Sequence, residues 1–251
     1  MWLTPSMGAT AASTRLHVTT DATDSRILAE TSTDDAPAYD ASLFGSGAST
    51  VRGARTREKL VAAAATCFSE YGYTRTRICD IVGNAGVSQG SFYRHFANKG
   101  EVLLAVIEPC VRDLLSSTRR LNATGMDDRE ALVQTTTAYF TTYAQHRHLM
   151  RVTREASSAQ DGSGFAERWL RIRAEFTART TRWLTRLRDE GRIDASRSGD
   201  LVADALGAMT DQVAYTHIGL PASAPRVEEL HQLGRVVGEL WFQSVYGTRT
   251  P

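Results

Sequence analysis

Ser88, Gln89, Gly90 and Ser91 form a short run of small and polar residues, a chemistry suited to reading the edges of nucleic-acid bases. A glutamine carboxamide pairs with adenine through two hydrogen bonds, and a serine hydroxyl serves several bases. Gly90 lacks the Cβ that would hold a backbone away from a partner. Just beyond this run, Tyr93, Arg94, His95 and Lys99 offer donors for phosphate oxygens, and Arg55 and Thr76 complete the set of candidate DNA contacts. A helix beginning at Ser88 would add free N–H groups and the positive end of its dipole.

The charge distribution points the same way. The chain has 251 residues and a formal net charge of +1, which by itself says little about partners. Residues 51–100, however, carry an excess of Arg and Lys, whereas residues 1–50 are acidic. A basic block inside a near-neutral protein is a candidate polyanion-binding module, with a solvated basic face as the plain alternative.

The elements needed to present these residues can be read from apolar spacing. Leu60, Ala63, Ala64, Cys67 and Phe68 recur as one helical face, predicting a first helix over Arg55–Tyr71 that stops at Gly72. Thr76 is expected to cap a second helix ending near Asn84, and Gly86 to make a left-handed turn. Ser88 is expected to cap a third helix over Gln89–Phe96, and Asn98 a fourth, with Glu101 in the capping-box position. Two short helices joined by a glycine-containing turn make a helix-turn-helix unit, whose second helix enters the major groove. Phe92 and Phe96, at i and i+4, belong to the core of this unit.

The rest of the chain reads as helical. An amphipathic segment runs over Val102–Leu121, with a kink or break expected near Glu108 because of Pro109. Further helices are expected at Asp128–Gln145, His148–Ser157, Phe165–Glu190, Asp200–Gly219 and Pro225–Tyr246. The fold class is all-α, with about nine helices and no run of period two. Residues 1–50 read as a disordered acidic extension, with the stretch from Phe44 to Gly47 as linker.

The stretch from Thr56 to Val102 resembles the TetR family of transcriptional regulators. The resemblance is carried by Thr56-Arg57-Glu58, by Phe68, Glu70, Gly72 and Tyr73, by Thr76, Asp80 and Ile81, and by Ala85-Gly86-Val87-Ser88. It continues through Gly90-Ser91-Phe92-Tyr93, His95-Phe96 and Asn98-Lys99, to Glu101-Val102. The resemblance implies an N-terminal three-helix DNA-binding head at residues 51–100 and a regulatory ligand-binding and dimerisation body at 101–251. It implies that Tyr93 and Lys99 contact phosphates and that Gln89, Gly90 and Ser91 face bases. It also implies a homodimer pairing through the last two helices, on which Gly234 and Gly238 would allow close approach. Arg77 and Gly83 depart from the family pattern. The segment Val51–Arg55 reads either as a tether or as a basic arm following the minor groove.

Large apolar residues crowd the body, and the choice there lies between bundle core and the wall of a cavity. The resemblance places the ligand pocket among these helices, with Tyr139, Tyr143, Trp169, Met209 and Val213 as the expected lining. Arg168, Arg171 and Arg173 would either meet an anionic group or form a solvated face. His146 and His148, at i and i+2, do not share a helix face, and no metal or other cofactor is expected. The three cysteines lack a CxxC pattern, which fits a reducing, cytoplasmic setting. GxSxG, P-loop and Rossmann glycine motifs are absent, which argues against an enzyme. No apolar run is long enough to span a membrane.

The expected function is therefore a ligand-responsive regulator, a homodimeric repressor released from a palindromic double-stranded DNA operator by a small apolar or amphipathic effector. Its expected place is the cytoplasm, at the nucleoid when bound to the operator. Alternatives of the same fold are an activator and a co-repressor-dependent regulator; those of another class are a helical interaction module and an enzyme.

Overall fold

The apolar stripe Leu60, Ala63, Ala64, Cys67 and Phe68 is buried along one face of the first helix, α1 (Val51–Arg75). The computed structural model describes residues 41–44, 50–118 and 126–247. Most of the acidic extension and the end of the expected Val102–Leu121 helix thus lie outside the described residues. Thr50 caps α1 by accepting from the Gly53 N–H at 3.1 Å. Val51–Arg55 is therefore the first helical turn of α1, so the minor-groove arm is not the form it takes here. Helical geometry breaks at Gly72, whose φ of +76° strongly favours glycine.

Three shorter steps follow: α2 (Ile78–Ala85), a left-handed turn at Gly86, and α3 (Gln89–Tyr93). The helix α4 (Lys99–Ser117) runs through Pro109 as one continuous helix, so of the kink or break expected near Glu108 the break does not occur. Pro109 is exposed, whereas Leu103, Leu104, Ile107, Cys110, Val111 and Leu114 are buried on either side of it. Each such burial contributes about 1.5–3 kcal/mol, and together they outweigh the ~3 kcal/mol that an interior proline costs.

The body is made of α5 (Asp128–Gln145), α6 (Arg147–Ser158), α7 (Phe165–Asp189), α8 (Asp200–Ala214) and α9 (Val227–Tyr246). A π-helical turn, Tyr215–Gly219, prolongs α8. The buried Arg147 guanidinium donates to the Ile218, Pro221 and Ala222 carbonyls at its end. The described residues hold nine α-helices and no strand.

Two apolar clusters hold these helices together. The first joins α1, α2 and α3 to the N-terminal half of α4, with Val152 and Ala156 of α6 and Phe165 and Ile172 of α7. The second joins the C-terminal half of α4 to α5, α7, α8 and α9. Phe44, expected in a linker, instead sits in a 3-10 turn (Ala41–Phe44) and is buried in the first cluster. Gly234 and Gly238 also differ from expectation. A Cβ at either would fall within 2.7 Å of α5 backbone, at Thr137 or Val133, so these glycines seat α9 on α5 of the same chain. The Thr136 hydroxyl donates to the Gly234 carbonyl at 2.7 Å across this contact.

Candidate functional site

The recognition end of α3 is built on two fully buried side chains. Ile81 of α2 and Phe92 of α3 are inaccessible to solvent, and Phe92 packs at 5.8 Å on Phe96. Ser88 starts α3 by accepting from the Ser91 N–H at 3.2 Å. With Phe92 pointing inward, the helical period turns Gly90, Tyr93 and Arg94 outward, and these three are exposed, as are Ser88 and Gln89 at the start of the helix. Tyr93 is 53% exposed while its ring rests edge-on against Phe92 at 5.5 Å, so the hydroxyl is carried outward on a fixed stem. Arg55 is exposed on the first turn of α1, and His95 is half-buried.

Three expected contacts stand elsewhere. Ser91 flanks Phe92 and is buried, so it lies on the packed side of α3 and not with the outward group. Thr76 is buried too: its hydroxyl donates to the Cys67 and Gly72 carbonyls at 3.1 and 2.6 Å, closing α1 where a cap for α2 was expected. Asp80 takes over at α2, accepting from the Arg77 N–H at 2.8 Å. The Lys99 ammonium donates to the Tyr73 and Thr76 carbonyls at 2.8 and 3.2 Å and lies 4.2 Å from the Tyr73 ring centre. It is a tie between the start of α4 and the end of α1, and burial lowers its pKa.

The same corner is joined to the body by an acid on α6. The Glu155 carboxylate accepts from the Tyr73 and Thr74 N–H groups at 2.9 and 2.8 Å, directly after the Gly72 break. Burial alone would raise its pKa, but these hydrogen bonds and the Lys99 charge hold it below the ordinary value. Tyr73 also donates its hydroxyl to Asp161 at 2.7 Å. Asn98 accepts from the Glu101 N–H at 3.0 Å, and Glu101 pairs with Arg168 of α7 at 3.1 Å. Arg168 is thus a link between helices rather than part of a pocket.

Turning one residue along α6 reverses its face. Arg154, next to Glu155, lines a cleft of about 500 Å³ between α5, α6, α7 and α8. Met150, Thr153, Ser157 and Ser158 share that face of α6, Tyr143 contributes from α5, and Trp169, Leu170 and Arg173 contribute from α7. From α8 come Asp211 and Gln212. Arg173 pairs with Asp211 at 2.8 Å, while Arg154 approaches the same carboxylate at 3.7 Å. Arg154 also donates to the Gln212 side-chain oxygen at 2.7 Å and stacks 4.0 Å from the Tyr215 ring centre.

Of the five residues expected to line a pocket, Tyr143 and Trp169 do so. Tyr139, Met209 and Val213 pack instead against the second apolar cluster, because their sides of α5 and α8 face the bundle interior. Arg171 is exposed, away from the cleft. Sequence reasoning missed Arg154, Asp211 and Gln212. A usable signal existed: residues 150, 153, 154, 157 and 158 repeat as one helix face. Among the described residues no group of acidic, histidine or cysteine side chains is arranged to hold a metal. Likewise, no helix there is long and apolar enough to cross a membrane.

A helix-turn-helix unit with an outward polar recognition end, mounted on a helical body, defines a class of DNA-binding transcriptional regulators. Residues 60–106 match the family model for bacterial regulatory proteins of the tetR family, and residues 132–247 match the C-terminal domain of the transcriptional regulator EthR. The chain belongs to the TetR family of transcriptional regulators. It is 32% identical over 129 residues to the HTH-type transcriptional repressor KstR2 of Rhodococcus jostii, a match covering 46% of this chain and 62% of that protein. It is 28% identical over 171 residues to the HTH-type transcriptional regulator EthR of Mycobacterium tuberculosis, covering 67% and 76% respectively. Among solved structures, NalD, the secondary repressor of the MexAB-OprM multidrug efflux pump in Pseudomonas aeruginosa, superposes with a TM-score of 0.62 at 18% identity. That match covers 78% of this chain and 99% of NalD.

Proposed function

We propose that this regulator is a homodimeric repressor that leaves a palindromic operator when a small amphipathic molecule enters the body cleft. In this reading residues 51–100 are the DNA-binding head, residues 101–251 the effector and dimerisation body, and residues 1–50 an acidic extension. The protein works in the cytoplasm, at the nucleoid when bound to its operator. The observation that carries the DNA assignment is the outward set Ser88, Gln89, Gly90, Tyr93 and Arg94, held on the buried Phe92. Gln89 and Gly90 then face bases, and Tyr93, Arg94 and Arg55 face phosphates.

Dimerisation is supported by apolar side chains left outward on the last two helices: Leu201 of α8, and Val236 and Leu240 of α9. Repression is supported by the KstR2 likeness. Effector control is supported by the position of α6, which offers Arg154 to the cleft and Glu155 to the corner beneath the head. A ligand that favours one setting of α6 changes the spacing of two heads, and affinity for a two-site operator changes with it. Analytical ultracentrifugation tests the assembly. The parent chain should sediment as a dimer, and the Leu201→Glu, Leu240→Glu double variant as a folded monomer with weakened operator binding. A monomeric parent that binds the operator as tightly as expected of a dimer would refute it.

A further inference from the structure

The chemistry of the cleft narrows what can occupy it, provided the cleft is the effector site proposed above. Its charged lining residues are Arg154, Arg173 and Asp211, a net of one positive charge. Arg173 is held by Asp211 at hydrogen-bond distance, but Arg154 reaches that carboxylate only at 3.7 Å. A guanidinium carries five N–H donors. Arg154 spends one on Gln212, and the long approach to Asp211 leaves its fork open to a second carboxylate.

The neighbouring hydroxyls reinforce this bias. Ser157 and Ser158 both donate back to the Arg154 carbonyl, so toward the cleft their oxygens offer lone pairs. The strong donors facing the space are the two arginines. The charged donors available to an anion are therefore Arg154 and Arg173. Apolar surface lies within one turn of each arginine: Trp169 is one turn before Arg173 on α7, and Met150 one turn before Arg154 on α6. One turn is about 5.4 Å, the length of a short spacer between a ring and an acid group.

We propose that the cleft binds a small amphipathic carboxylic acid, with its carboxylate on Arg154 and Arg173 and its ring or short chain against Trp169 and Met150. A monoanion neutralises the single net charge. A dianion such as a phosphate monoester would leave one uncompensated negative charge beside Asp211. A volume of about 500 Å³ lies within the usual range for small-ligand pockets of about 300–1,000 Å³.

Calorimetric titration of the full chain with 4-phenylbutyrate, its neutral amide 4-phenylbutanamide and 4-phenylbutyl phosphate tests this. The acid should bind about tenfold or more tighter than the amide, as hydrogen bonds to a charged group imply, and tighter than the phosphate. Arg154→Gln and Arg173→Gln should each weaken acid binding about tenfold or more and narrow the preference for acid over amide, with an unchanged far-UV circular dichroism spectrum showing that the variants are folded. Arg171→Gln, outside the cleft, should keep the parent preference. Equal binding of acid and amide by the parent chain, preference for the phosphate, or no binding of the acid at millimolar concentration overturns the carboxylate assignment. If Trp169→Ala still abolishes amide binding in the first of those cases, the cleft survives as an effector site for neutral ligands. Binding indifferent to every cleft variant removes both readings.

Discussion

The recognition turn and the body cleft use polar residues in opposite ways. On α3, Gln89, Tyr93 and Arg94 point into solvent from a rigid apolar base. In the cleft, Arg154, Arg173, Asp211 and Gln212 satisfy one another across three helices. The first arrangement is ready for a partner without rearrangement. The second is already knit together, and in the proposed effector reading a ligand that takes up one of these partners shifts the helices that carry them. Between them sits the Gly72–Thr76 corner, held by Glu155 from α6 and by Lys99 from α4.

The contrast can be broken most severely from below. Phe92→Ala empties a fully buried site under α3 and should cost about 3–5 kcal/mol in denaturant unfolding, with DNA binding lost. Gly72→Ala comes next. It forces a side chain into positive φ, and its Cβ would meet Glu155 Oε2 at 2.9 Å. A loss of about 1–3 kcal/mol is expected in the same assay.

Glu155→Ala removes the acceptor for two N–H groups and should cost about 1–2 kcal/mol, discounted because the residue is exposed. It also gives a pH signature. The native pKa lies below the ordinary 4.5, so the stabilisation is complete above that value. It fades as pH falls through the depressed native one. The variant's melting temperature should therefore converge on the parent's at low pH, and a gap that stays constant from pH 7 to pH 3 would contradict this role. Smallest in stability are the outward residues. Arg94→Ala should stay within about 0.5 kcal/mol of the parent and lower the salt dependence of DNA binding by about one ion.

Legibility in the sequence followed the same division. The head was readable because helix-turn-helix geometry is local: Gly86, Ser88 and Phe92 lie within a few residues, and their spacing fixes which side faces out. Body helices were readable from their periods and breaks. Side-chain allegiance was harder. Thr76 looks like a cap because it precedes a helix, yet its hydroxyl reaches back to Cys67 and Gly72. Lys99 looks like a phosphate donor because it is basic, yet two carbonyls and an aromatic face surround its ammonium. Gly234 and Gly238 announce close helix approach, but spacing does not reveal that the partner is α5. The cleft gathers residues from Tyr143 to Gln212, so no local spacing displays Arg154 opposite Asp211.

The central claim is that the outward face of α3 reads DNA sequence. Selection of bound sites from random duplex DNA at physiological salt, carried out with the parent chain and with Gln89→Ala, tests it most directly. The account predicts an inverted repeat for the parent and altered preference at one base position in each half-site for the variant. The same motif from both proteins, or no motif from a confirmed dimer, would contradict it.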